Sequence, residues 1–216
     1  MMFDPLRFTI ALGPLALYFL VLGRINLRSQ PTVISGTRDA AALAIAVSGL
    51  FIIGPIELFL PATAADNFGP VAWLMICILY GLIVLLSILG QRPRLVIYNI
   101  DPAEFRQAFA QLCQRLDPAA RWAGDNVELP SCGLDLRLQA SLRNVTIIAQ
   151  GEPVPFQPWR DLEQAVAAEF APRAGRPNPR GAMLLGIGLA MLAAVIYQLS
   201  TEPQTVASLF TKMFRL

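Results

Sequence analysis

Residues 71–100, VAWLMICILYGLIVLLSILGQRPRLVIYNI, hold the transition that decides the fold. Val71–Leu89 is apolar and free of charge, close to the roughly 20 residues that cross a hydrocarbon core as a helix. Gln91-Arg92-Pro93-Arg94 interrupts it, and Leu95–Ile100 follows as a β-branched run that reads as a strand. A membrane-length helix thus hands over, across two arginines, to the first strand of a water-exposed unit. Three further apolar stretches lie outward from this point, near Phe8–Gly23, Ala40–Leu60 and Gly181–Leu199. The expected fold is an α-helical integral membrane protein with four transmembrane helices and a small cytoplasmic α+β domain inserted between helices 3 and 4. The expected boundaries are 1–93 for three spans (about 8–27, 40–60 and 70–90), 94–172 for the domain, 173–180 for a basic Pro-rich linker and 181–200 for the fourth span. Residues 203–216, with Val206, Leu209, Phe210, Met213 and Phe214 opposite Gln204, Ser208, Thr211 and Lys212, read as an amphipathic interfacial helix.

Composition points the same way. Mean hydropathy is +0.54 and only 15% of the 216 residues are charged, against about 25% in soluble domains. The basic residues are arginines apart from Lys212, which we read as a bacterial signature. Net charge is +2, but Leu95–Pro172 carries six Arg against five Asp and five Glu, a balance of −4 that leaves +6 beside the apolar stretches. An acidic domain is a poor match for nucleic acid, so no nucleic-acid partner is expected. The chain has no histidine. That removes His-based acid/base chemistry, Ser-His and Cys-His nucleophiles and His-ligated metals. Cys77, Cys113 and Cys132 have no CxxC spacing, so no metal and no cofactor are expected. Cys77 and Cys113 read as small buried hydrophobes and Cys132 as a turn thiol.

Orientation follows from arginine placement, because cytoplasmic loops are rich in Lys and Arg. Arg24, Arg28, Arg38, Arg92, Arg94, Arg173, Arg176 and Arg180 fall on one side of the alternating spans, and Arg7, Lys212 and Arg215 on the other. Both termini are therefore expected outside a bacterial inner membrane, with residues 94–172 in the cytoplasm. The basic residues flanking the domain, Arg92, Arg94, Arg173, Arg176 and Arg180, are candidate contacts for anionic lipid. The first span lacks a small-x-small cleavage pattern and reads as uncleaved.

Within the spans two features stand out. Ala182, Gly186, Ala190 and Ala194 form a stripe of small residues suited to close helix packing, within the monomer or in a homo-oligomer. Ala40, Ala44 and Ser48 make a shorter stripe. Glu57, just after Pro55, is the acidic residue of the second apolar run, and ionisable groups at membrane depth are costly and often functional. Its position near Pro61 also suits an interfacial carboxylate. A role inside the bundle would require it to meet polar groups such as Tyr18, Tyr80 or Ser87.

The insert reads β-α-β-β-β-α. Asp101-Pro102-Ala103-Glu104 is a capping-box start, and Phe105, Ala108, Phe109, Leu112, Cys113 and Leu116 follow at helical spacing. Asn126–Leu129, Leu134–Ala140 and Asn144–Ala149 are strands. Strict alternation in Leu134–Ala140 implies a mostly antiparallel sheet with one wet face. A second helix over Pro158–Phe170 places Trp159, Leu162, Val166 and Phe170 on one side, so two helices are expected on one sheet face. No phosphate loop, nucleophile elbow or carboxylate cluster is present. The leading functional expectation is a non-catalytic protein of the bacterial inner membrane whose cytoplasmic domain binds a protein partner or serves membrane-complex assembly. The alternative is a small membrane enzyme or proton-coupled carrier centred on Glu57.

Overall fold

The structure, a computed structural model, describes residues 5–59, 70–151, 153–173 and 177–201, without the side chains of 55–59, 70, 72 and 73. The expected interfacial helix over 203–216, the connection over 61–69 and Arg176 lie outside the described residues. The elements of the described residues are, in order, α1 (Pro5–Leu27), β1 (Thr32–Ser35), α2 (Gly36–Phe59), α3 (Pro70–Leu89), β2 (Arg94–Tyr98), α4 (Pro102–Leu116), β3 (Arg121–Ala123), β4 (Asn126–Leu129), β5 (Leu134–Ser141), β6 (Asn144–Gln150), α5 (Phe156–Phe170) and α6 (Arg180–Thr201). Among the described residues, the helices Pro5–Leu27, Gly36–Gly54 and Arg180–Thr201 are long and apolar enough to cross a membrane, and Leu74–Leu89 is a shorter apolar helical stretch. The chain divides into two units: Met1–Leu22 with Ala41–Gly90 and Met183–Leu216, and Gly23–Ala40 with Gln91–Ala182.

In the helical unit, small residues set the packing. At Gly49 of α2 an added Cβ would overlap the carbonyl of Ile10 in α1, and Ala16 and Ala46 are buried. Tyr80 of α3 donates a hydrogen bond to the Ala44 carbonyl of α2 and sets its ring 4.7 Å from that of Phe51. On α6 the close approach is at Gly188, where a Cβ would lie 3.0 Å from Leu20, and Val195, seven residues on, is buried. Of the stripe noted in the sequence, Ala182, Gly186 and Ala190 are exposed and Ala194 is partly buried.

The second unit is one wholly antiparallel six-stranded sheet in the order β1-β2-β6-β5-β4-β3. This corrects the four strands expected from sequence. β1 and β3 are too short to show a period of two, and each gains its strand conformation by pairing, Val33 opposite Ile97 and Trp122 opposite Val127. β1 comes from the segment between the first two long helices, so the sheet is assembled from both sides of the α2–α3 pair.

The inward residues of the sheet and the apolar faces of α4 and α5 make one core. Leu95, Ile97, Val145, Ile147, Leu136 and Val127 meet Phe105, Phe109, Leu112, Trp159, Leu162 and Phe170, all buried. Both helices thus lie on one face. The α4 start follows its sequence: the Asp101 carboxylate accepts from the Ala103 and Glu104 N–H groups, and Pro102 opens the helix. The other face grades across the sheet. Asp135, Arg137 and Gln139 of β5 are exposed, Thr146 and Ile148 of β6 are half-buried, and Val96 and Tyr98 of β2 are buried.

Two buried polar residues hold the ends of this unit. Asn99, at φ 61°, takes the left-handed conformation that asparagine tolerates, and its side-chain amide donates to the Arg28 carbonyl. Asp117 ends α4. Burial works to raise its pKa, but hydrogen bonds from Ser131 Oγ (2.8 Å), the Ala119 N–H (2.9 Å) and the Ser131 N–H (2.8 Å) outweigh it and hold the carboxyl below its ordinary value. Glu169 is lowered as well, by hydrogen bonds from Arg173 and Arg115. A folded pKa below the unfolded one contributes stability above the ordinary carboxylate range, and that contribution is lost as pH falls through the folded value. The melting temperature of the protein is therefore expected to drop below about pH 4.5, and a Tm–pH series on Asp117→Asn should show a lower Tm at neutral pH and a shallower acid limb than wild type.

Candidate functional site

Among the described residues of the sheet unit, two of its open clefts are lined by polar and charged side chains. The first, of about 730 Å³, is formed where the start of α4 faces the end of β5, with Phe105, Arg106, Arg137, Gln139 and Ser141 among its lining. It exists because β5 outruns its neighbour. The β4–β5 register ends at Asn126 opposite Arg137, and the Leu138 N–H is taken by the Asp125 carbonyl at 2.8 Å. Gln139, Ala140 and Ser141 are paired on one side only, with Thr146, Val145 and Asn144 of β6. Arg106, in the lining, donates to Asp125, 3.0 Å away, and to the Gly124 carbonyl.

The second cleft, of about 430 Å³, gathers three stretches: the start of α2, the segment Gln91–Arg94, and the first half of α5. Four arginines line it, Arg38, Arg92, Arg94 and Arg160, against one acidic residue, Glu163. Arg94 is held in place. Its Nη2 lies 3.9 Å from Asp39 Oδ2, and the other Asp39 oxygen accepts from the Tyr98 hydroxyl at 2.7 Å. The stem of Arg94 crosses the bare Cα of Gly36, a space that any Cβ would fill. Arg160 stands 5.7 Å over the ring of Phe156, itself 72% exposed at the cleft. Among the described residues, Arg38, Arg92 and Arg160 have no carboxylate within ion-pair distance.

The residues singled out in the sequence are distributed as follows. Arg92 and Arg94 enter the second cleft together. Arg173 instead pairs with Glu169 at 2.6 Å and covers the Phe170 ring at 5.2 Å, and Arg180 begins α6 with its N–H on Asn178 Oδ1. Glu57 lies on α2, and its side chain is outside the described residues. Tyr80 is bonded at Ala44, thirteen residues and about 20 Å along the helix from Glu57, and Ser87 bonds the Ile83 carbonyl of its own helix. Cys113 is buried and pushed up to about 12, by burial first and then by Cys132. Burial, with Asp117 and Asp161 nearby, raises Cys132 too, so its thiolate is disfavoured. Among the described residues no group of three or more Cys, Asp or Glu is placed to hold a metal ion. Sequence reading did not join Arg38 and Arg160 to Arg92 and Arg94; they come from separate stretches, and only the β1–β2 pairing and the packing of α5 bring them together. The chain matches no protein-family model, and no curated protein or solved structure is similar to it.

Proposed function

We propose that this is a non-catalytic bacterial inner-membrane protein with four spans, α1, α2, α3 and α6, whose cytoplasmic sheet domain binds a protein partner in the assembly of a membrane complex. The observation that carries the partner reading is the one-sided end of β5. An antiparallel strand paired on a single side offers backbone N–H and C=O groups to an added strand, and here the offer opens into the larger cleft beside Arg137 and Gln139.

The pairing of the spans has a second support, independent of arginine counting. Ser35 pairs with Leu95, six residues past the last residue of α3, and this pairing favours α2 and α3 crossing a bilayer as a pair. The Asn178 N–H donates to the Asn26 carbonyl at 2.9 Å, which ties the end of α1 to the start of α6 in the same way. If all four cross, both termini lie opposite the sheet domain, as the arginine distribution requires.

Gln139→Cys tests both parts in one variant. In intact spheroplasts a membrane-impermeant maleimide is expected to leave the introduced thiol unlabelled, and after permeabilisation to label it. A short bifunctional reagent on the same thiol should give a discrete heavier species by gel electrophoresis. Labelling in intact cells overturns the orientation; a monomer band alone overturns the partner reading.

A further inference from the structure

We infer that the arginine cleft formed by Arg38, Arg92, Arg94 and Arg160 is a headgroup site for an anionic phospholipid. The inference rests on the membrane reading above but not on the protein partner. Guanidinium forks match phosphate oxygens in pairs, and this cleft is lined by four arginines with Glu163 as its single acidic lining residue. Arg94 is oriented by Asp39 and Gly36, whereas Arg38, Arg92 and Arg160 keep their donors for an outside acceptor. α2 opens at the same place, with Ser35 and Thr37 in the lining, so the partial positive charge of a long helix start adds to the field.

The chain itself argues for a lipid over a soluble phosphate. Arg92 follows Leu89, the end of α3, by three residues, a reach of at most about 11 Å. Arg38 sits in the first turn of α2. Both arginines thus start close to the ends of their apolar helices, within reach of headgroups when α2 and α3 span. Phe156, exposed beside them, offers an apolar ring to the acyl boundary below the headgroups.

The test uses the full chain in nanodiscs of phosphatidylcholine alone or with phosphatidylglycerol added, read by native mass spectrometry for retained lipid and by Tm. Wild type is expected to retain phosphatidylglycerol preferentially and to melt higher in its presence. Arg38→Gln/Arg92→Gln/Arg160→Gln removes three side chains outside the core, and should cut the preference on the order of a hundredfold while leaving Tm in phosphatidylcholine unchanged. A control of equal charge, Arg115→Gln/Arg121→Gln/Arg137→Gln, should keep the preference. An equal loss in the control, or no loss in the cleft variant, overturns the site. Stabilisation by inorganic phosphate in phosphatidylcholine discs equal to that by phosphatidylglycerol overturns the lipid assignment. A chain that does not enter nanodiscs at all overturns the membrane reading instead.

Discussion

Phe109→Ala is expected to unfold the sheet domain. Phe109 is completely buried on α4, stacks on Phe105 with ring centroids 5.2 Å apart, and meets Trp122 edge-on at 6.1 Å. Phe105 in turn stacks on Phe170 at 4.8 Å, so the ring is one member of a chain of aromatics that joins α4 to α5 and to the outermost strand. Truncating such a side chain costs roughly 3–5 kcal/mol, a large share of the roughly 5–15 kcal/mol that holds a domain folded. The loss also reaches β3, a strand of three residues whose Trp122 packs edge-on against that ring. Limited proteolysis should show the domain digested at a temperature where wild type resists, and tryptophan emission should shift to the red. Phe156→Ala, at an exposed ring, should leave both readouts unchanged. A Phe109→Ala chain as resistant as wild type would mean that the apolar face of α4 does not carry the core.

That core was legible in the sequence. Phe105, Ala108, Phe109, Leu112 and Cys113 recur at the helical period, and all five are buried. The same holds for Leu134, Leu136 and Leu138 at the strand period. Periodicity needs length, however. Thr32–Ser35 and Arg121–Ala123 are too short to display one, so the sheet gained two strands that the sequence did not announce. The arginine cleft was half legible. Arg92 and Arg94 stood out beside an apolar run, but Arg38 and Arg160 join them only through pairing between residues far apart in sequence. The free end of β5 was not legible, because it depends on where β4 stops rather than on what β5 contains.

Gly49→Ala is expected to force α1 and α2 apart. The new methyl group would lie 1.8 Å from the Ile10 carbonyl oxygen, and a backbone group cannot rotate aside as a side chain can. Overpacking of this kind costs roughly 1–3 kcal/mol, or several degrees in Tm at about 2–4 °C per kcal/mol for a chain of this size. Gly49→Leu should be worse, with loss of the folded protein from mild detergent on gel filtration. Gly186→Ala, where an added Cβ meets nothing within 4 Å, is the matched control and should melt with wild type. Equal melting of the Gly49 and Gly186 variants would show that α1 and α2 do not touch at Gly49.

The pairing of β1 with β2 also sets a clock on synthesis. Leu95 leaves the ribosome sixty positions after its partner Ser35, an interval of about 3–12 s at roughly 5–20 residues per second. During that interval α2 and α3 are made. β2 is buried on both faces in the finished protein, and such a strand is the most hazardous kind to expose while a chain is incomplete. On one edge it does not have to wait, although β6, its other neighbour, is made later. Its neighbour on one side is already translated when it appears, and the helix pair between them must be complete before the two can join.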